Sequence, residues 1–471
     1  LKTINAKDIP KERLGTTDEN GWRVYIFPAS VQGFFRKWRN VTQAILVLLF
    51  LIAPWIKIGG VQSILLDIPR RQFAFFGFTF WAHDTPILFF VIFIACLSLA
   101  FVTAIWGRVW CGWACPQTVF IDGVFRRIET WVVGNHLKQI KLAKAPWSKE
   151  KLIKYSIKWF LFLTAGLIIS HSFMAYFVGS DRLWPMITSS PQDNWLAFVF
   201  MFSFTAILIF DFAWFREQFC FIMCPYGRIQ SLLMDDTSLA VIYDEKRGEP
   251  RRQKSVTKEE QGDCVSCGRC IAVCPTGIDI RRGVQMECIA CTACIDACDE
   301  IMEKVNKPKG LIRYDSVVGM QGKKKSIFSL RLYVYITFLA VSIFGLIYAV
   351  ASKNSIDITI LRGNDKPFEK LANTDFYTNH YKLVVKNRTF SEQEVSYQLD
   401  VAEKEAKLIA PMNPLNLAAG EQKRVSFFIQ FKKGLTQGKG SVLLPMIMIF
   451  TGSSDVEKSI FKEVSVVGPH K

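Results

Sequence analysis

Cys264-Val265-Ser266-Cys267-Gly268-Arg269-Cys270-Ile271-Ala272-Val273-Cys274-Pro275 and Cys288-Ile289-Ala290-Cys291-Thr292-Ala293-Cys294-Ile295-Asp296-Ala297-Cys298-Asp299 repeat one spacing, CxxCxxCxxxC. Three closely spaced thiolates cap one face of an iron–sulfur cubane, and the distant fourth thiolate of each run closes the other cluster. The spacing therefore groups Cys264, Cys267, Cys270 and Cys298 around one [4Fe–4S] cluster. Cys288, Cys291, Cys294 and Cys274 form the second set. Asp299 stands where the first run has Pro275, which turns the chain but ligates nothing. Four-Cys zinc sites also use CxxC pairs. Eight cysteines in the doubled form point to clusters instead.

Working outward, the other cysteines repeat as well. Cys111-Gly112-Trp113-Ala114-Cys115-Pro116 and Cys220-Phe221-Ile222-Met223-Cys224-Pro225 are both CxxxCP, each shortly after an arginine, Arg108 or Arg216. Residues i and i+4 share a helical face, and Pro after the second Cys suits the first turn of a new helix. Brought together, the two pairs offer four soft thiolates, which favour Cu(I), an iron–sulfur centre or zinc. A redox dithiol or simple packing are the other readings. All 13 cysteines lie between Cys96 and Cys298, a placement unlike a disulfide framework.

Apolar blocks flank both sets. The chain has 471 residues, half of them apolar, and a net charge of +17. Such a composition excludes disorder. Blocks at 41–57, 87–106, 159–178, 195–215 and 332–351 reach membrane-spanning length, the first interrupted by Pro54. The segments between them alternate in Lys/Arg content: 8 in 1–40, 2 in 58–86, 10 in 107–158, 1 in 179–194 and 19 in 216–331. Positive segments stay in the cytoplasm, so the N-terminus reads as inside and the tail 352–471 as outside. The charge is thus a topology signal, and no nucleic-acid partner is expected. Segment 73–82 is too short to span and reads as interfacial or re-entrant.

The tail alternates with period two at Tyr381–Lys386, Val395–Leu399, Val425–Phe431 and 442–450. Seven or so short strands suggest a cysteine-free immunoglobulin-like sandwich. The expected domains are a basic cytoplasmic leader (1–40), a four-helix membrane domain (41–235) and a cytoplasmic ferredoxin domain (236–326). A fifth span (327–351) and a periplasmic Ig-like domain (352–471) follow. His171 and Asp211 lie inside spans, where polar residues default to a functional hypothesis such as proton relay, metal binding or mutual pairing. Asp211 could equally pair with Arg216. Cys96, alone in mid-span, reads as packing. His83 and His136 read as surface residues, and Lys323-Lys324-Lys325 as a positive-inside anchor.

The whole order of parts resembles the CcoG/FixG/RdxA family, accessory proteins of cbb-type cytochrome c oxidase, over nearly all 471 residues. The CxxxCP pairs are also similar to those of membrane ferredoxins of the NapH and NosR kind. The family resemblance implies reduction of Cu(II) to Cu(I) for the oxidase's haem–copper centre, in a bacterial inner membrane. Cys111, Cys115, Cys220 and Cys224 match the family's membrane-edge motif and would be the reacting thiols. The implied partners are copper, a copper transporter or chaperone, and oxidase assembly factors. No flavin pattern or CxxCH haem site is evident, so the electron donor is external. Two alternatives stay open: a quinol dehydrogenase-type membrane ferredoxin, and a non-catalytic redox-sensing scaffold. Oligomeric state is also open.

Overall fold

The computed structural model describes residues 16–469 apart from 18–19, 21, 59, 70–71, 82–84, 253–256, 258, 323–329, 352–355, 364–365, 372–373, 388–391, 402–404, 419, 439 and 453–456. Residues 1–15, 18–19 and 21 of the basic leader, His83 and the run Lys323–Lys325 lie outside the described residues. The chain divides into two compact units, one running essentially to Ile347 and the other built mainly from Tyr348–Lys471.

The first unit is a polytopic helical membrane domain with an inserted ferredoxin module. Five helices have spanning length and apolarity: Phe34–Trp55, Pro86–Trp106, Lys149–Val178, Trp195–Phe215 and Leu330–Ala351. Two boundaries differ from expectation. The first helix starts at Phe34, inside the expected leader, where Asp296 accepts hydrogen bonds from the free Phe35 and Arg36 amides at 3.2 and 2.7 Å. A carboxylate there satisfies amides that the helix itself leaves open. The third helix begins ten residues early, at Lys149, because Ser148 caps it by accepting from the Lys151 amide at 3.2 Å. Its polar first turns carried no hydropathy signal. Segment 73–82, expected to be interfacial or re-entrant, forms strand at Gln72–Phe75 and Phe78–Trp81, and Ala82 is outside the described residues.

Aromatic packing joins the spans. Phe120, Phe125, Phe162 and Phe212 are buried together, with the Phe125 ring 4.9 Å from Phe162 and 5.4 Å from Phe212. Each buried phenylalanine contributes roughly 1.5–3 kcal/mol. Beside this cluster lies a buried ionic layer. Asp122 meets Arg36 at 2.7 Å, Arg39 at 3.0 Å and Arg126 at 3.8 Å. Glu129 meets Arg216 at 2.8 Å and Lys158 at 3.8 Å. Burial alone would raise the Asp122 pKa, but the three guanidiniums outweigh it and hold the carboxyl well below the usual range. Glu129 is lowered too, with Arg216 the chief counterweight to its burial.

The ferredoxin module is closed by the antiparallel pair Ala240–Tyr243 and Ile312–Asp315. The expected leader is not a free arm. The Ala29 amide donates to the Ala272 carbonyl at 2.8 Å, and Ala29 and Val31 pack with Val273, Ile289 and Cys291.

The second unit is an immunoglobulin-like sandwich. One sheet has the spatial order Ala406–Ile409, Gln422–Lys432, Phe376–Asn387, Ile356–Arg362, with Glu369–Lys370 as a short addition. The other has the order Leu415–Leu417, Gln393–Leu399, Ser441–Gly452, Glu457–Val467. Leu383, Val385, Tyr397, Phe427, Ile429, Met446 and Met448 fill the space between them. These are alternate residues of their strands, as the period-two pattern requires.

Candidate functional site

The two cysteine runs fold into matching loops. Ser266 and Ala290 take φ of 54° and 52°, while Gly268 and Thr292 take 69° and 62°. Alternating left- and right-handed residues point successive N–H groups into one concavity, the backbone nest that suits iron–sulfur sites. That three of the four residues carry side chains in the left-handed region marks a conformation held by its surroundings. Gly268 and Thr292 then start the short helices Arg269–Ala272 and Ala293–Lys304.

The thiols of the two runs lie in two groups. Cys264, Cys267, Cys270 and Cys298 line one small cavity with Tyr243 and Leu311. Cys274 lies within electrostatic range of Cys291, and Cys288 of both. Burial pushes Cys270, Cys288 and Cys298 up to about 12, and Cys294 well above its ordinary value. Such thiols keep their protons at neutral pH until a metal centre takes the proton's place. Nests, enclosed thiols and grouping all fit two cubanes. Among the described residues, no three His, Cys, Asp or Glu side chains close on a single-ion position; a cubane takes its thiolates from the corners of a cage.

One cysteine stands out in access: Cys267 is exposed, whereas Cys264 and Cys270 of its set are buried, and the other set has Cys291 buried and Cys274, Cys288 and Cys294 half-buried. The inner set faces the CxxxCP motifs. Cys111 and Phe221 pack with Ile289, Cys291 and Cys294. A Cβ on Gly112 would stand 2.6 Å from the carbonyl oxygens of both Ile289 and Ala290, so only glycine permits this approach. Arg108 hydrogen-bonds the Met286 carbonyl, and its charge reaches both Cys111 and Cys288.

The structure brings the four CxxxCP cysteines together: the charges of Cys115, Cys111 and Cys224 all act on Cys220. Burial pushes Cys111 up to about 12 and raises Cys115 and Cys220. The expected single helical face is not how they meet. Cys115 and Cys224 are N-caps, with ψ of 127° and 112°, of helices that begin at Pro116 and Pro225. Proline at the first helical position disfavours α geometry in the residue before it, so each pair bends at its second cysteine.

The two arginines diverge. Arg108 bridges to the ferredoxin module, whereas Arg216, with φ of 51°, is buried on Glu129. Asp211 therefore does not pair with the Arg216 side chain; it accepts from Gln117 Nε2 at 3.0 Å, two residues after Cys115. His171 is elsewhere. Its Nδ1 donates to the Leu167 carbonyl at 2.7 Å, and it lines an apolar groove of about 650 Å³ between the third and fourth spans. No hydrogen bond joins it to Asp211. Cys96 is exposed on the second span rather than packed.

Several residues of the site carried no sequence signal. Gln230 is fully buried and its Oε1 accepts from Cys111 Sγ at 3.4 Å, while its Nε2 makes no hydrogen bond within distance limits among the described residues. Tyr226 bonds Thr103 beside it. Arg39 Nε donates to the Gly112 carbonyl at 2.8 Å. A glutamine and an arginine at helical spacing look like ordinary surface positions; a buried polar pattern in 226–230 and 36–40 was the only available hint.

Fold and site together define a membrane-anchored, two-cluster ferredoxin-type electron-transfer protein. Family models agree. A 4Fe-4S dicluster domain matches 215–317, a 4Fe-4S binding domain 87–137, and the Ig-like fold at the C-terminus of FixG 346–466. Protein RdxB of Cereibacter sphaeroides is 34% identical over 80% of this chain and 81% of its own length. Protein RdxA of the same organism is 33% identical over 80% and 82%. The nitrogen fixation protein FixG of Rhizobium meliloti is 28% identical over 89% and 86%. The crystal structure of a FixG-related protein from Vibrio parahaemolyticus aligns with 24% of this chain and 97% of its own, at 15% identity and a TM-score of 0.20. The chain belongs to the FixG/RdxA family. It is an iron–sulfur redox protein carrying two [4Fe–4S] clusters.

Proposed function

We propose that this protein is a cupric reductase serving assembly of the copper centre of a cbb-type cytochrome c oxidase. One observation carries the reading: Gly112, inside the first CxxxCP motif, lies against the Ile289 and Ala290 carbonyls, and Cys111 of the thiol quartet Cys111, Cys115, Cys220 and Cys224 packs on the cluster that contains Cys291. The outer set would be Cys264, Cys267, Cys270 and Cys298, and the inner set Cys288, Cys291, Cys294 and Cys274. Bound there, the two clusters supply one-electron storage. Exposed Cys267 marks the face where an external donor docks, while buried Cys291 and half-buried Cys294 belong to the cluster against which Cys111 packs. At the quartet, Cu(II) takes one electron and becomes Cu(I), which soft sulfur ligands hold more tightly. Arg108, placed between Cys111 and Cys288, offsets the negative charge that accumulates on both thiolate sets.

The charge alternation supports a cytoplasmic-membrane protein with its N-terminus and ferredoxin module inside and the sandwich outside. Copper would then be released on the cytoplasmic side, to a transporter or chaperone of the oxidase assembly route.

The test is anaerobic. One equivalent of Cu(II) is added to the reduced holoprotein with a Cu(I)-specific chelator present, and cluster oxidation is followed optically. Stoichiometric Cu(I) is expected, with the rate falling strongly in Cys111→Ser and Cys220→Ser variants whose iron content is unchanged. Equal rates in variants and wild type would make copper incidental.

A second reading is favoured by the Nε2 of buried Gln230, without a hydrogen bond among the described residues, and by the 4Fe-4S binding model that overlaps Cys111 and Cys115. The quartet would then hold a further cluster. Iron analysis separates the two: this reading adds about four iron atoms per chain beyond the two cubanes, all lost in Cys220→Ser.

A further inference from the structure

A cavity of about 850 Å³ opens at the polar end of the first span. Its walls carry Arg36, Lys37, Arg39, Arg126 and Arg127 against one carboxylate, Asp122. Asp122 is consumed by Arg36, Arg39 and Arg126. Lys37 and Arg127 are exposed, and neither has an acidic partner among the described residues. Arg39 is 2% exposed and its Nη2 has no acceptor among the described residues. An unpartnered guanidinium nitrogen in a cationic wall asks for an anion.

The position narrows the class of anion. Lys37 and Arg39 lie in the first two turns of a membrane-crossing helix, the level of the lipid headgroups. Trp38 and Trp131 frame the same region at 52% and 81% exposure, as amphipathic rings do at a membrane interface. A cavity of this volume exceeds what a single phosphate fills and has room for a glycerophosphate headgroup. Clusters of Lys and Arg on the cytoplasmic edge of a span attract such headgroups. We propose that this cavity is a specific site for an anionic phospholipid headgroup, with Arg39 Nη2 and the Lys37 and Arg127 side chains as its phosphate donors.

The site touches the redox module. Pro275 and Ala293 line the cavity, next in sequence to Cys274 and Cys294. The lipid would thus join the first span to the inner cysteine loop. The proposal is independent of the copper reading.

The test uses the full-length holoprotein in detergent and native mass spectrometry with added cardiolipin, phosphatidylglycerol or phosphatidylcholine. Lys37→Gln/Arg127→Gln removes two exposed cations outside the buried ionic layer, so folding is preserved. Lys246→Gln/Lys304→Gln on the ferredoxin module is the charge-matched control. Retention of anionic lipid is expected over phosphatidylcholine, weakened about tenfold or more in the first variant but not in the control. Millimolar inorganic phosphate should not displace it, and Cys220→Ser should leave it unchanged. Equal retention of the zwitterionic lipid, equal loss in the control, or displacement by inorganic phosphate would overturn the assignment.

Discussion

Arg39, on the first span, donates from Nε to the carbonyl oxygen of Gly112, in the middle of the first CxxxCP motif, at 2.8 Å. The same guanidinium meets Asp122 at 3.0 Å. One side chain therefore ties the thiol loop to the ionic layer. Arg39→Lys retains the charge near Asp122 but loses the fixed donor to Gly112. Thermal stability should change by about 1 kcal/mol or less, while Cu(II) reduction slows. Arg39→Met also strips a partner from buried Asp122 and should cost up to about 3 kcal/mol. Unfolding scans and reduction assays on both variants check the pair.

Gly112→Ala tests the approach of the two thiol sets. The added methyl would meet two backbone oxygens at 2.6 Å, which cannot rotate away. The loops must separate. Both cubanes should remain, by iron count and electron paramagnetic resonance, while delivery of electrons to the acceptor falls about tenfold or more.

Exposed Cys267 and buried Cys291 should fail differently. Cys291→Ser should leave the outer set reducible but stop transfer onward to copper. Cys267→Ser should damage the outer set and block a bulky protein donor, while a small reductant still reaches the inner set. Cluster spectra with each reductant decide this.

Acid should weaken the ionic layer in a defined direction. Asp122 and Glu129 are both depressed in the folded chain. Their stabilisation is fully present above the unfolded carboxylate values of about 3.9–4.3 and is lost as pH falls through the lower folded ones. Between pH 5 and 3 the melting temperature of cluster-free wild type should fall more steeply than that of Asp122→Asn. Parallel slopes would contradict the assignment.

Ala290 and Thr292 hold left-handed conformations that glycine adopts freely. Ala290→Gly should therefore leave cluster content intact and cost nothing measurable in stability, or gain up to about 1 kcal/mol by relieving strain.

Much of this architecture was legible from residue order. The doubled CxxCxxCxxxC spacing announced the grouping of the thiols, because cubane ligation fixes local spacing. Five apolar blocks announced the spans, and period-two alternation the sandwich. Ends were less legible. Lys149–Lys158 and Phe34–Asn40 are helical through capping by Ser148 and Asp296, the second of which lies 260 residues away from Arg36. The bend at Cys115 and Cys224 overrode the i,i+4 expectation because Pro116 and Pro225 act on the residue before them. Asp211 pairs with Gln117 rather than nearby Arg216, whose guanidinium is taken by Glu129. Choices of that kind depend on three-dimensional competition, which sequence proximity does not rank.

The difference in access between Cys267 and Cys291 also bears on survival in air. An oxidant arriving from water meets the outer loop first, whereas the inner loop is roofed by Ala29, Val31 and the Gly112 backbone. On the proposed route, damage would begin at the receiving end and spare the delivering end. A protein so injured stops accepting electrons before it can discharge them onto the wrong acceptor, and repair needs to reach only the open loop.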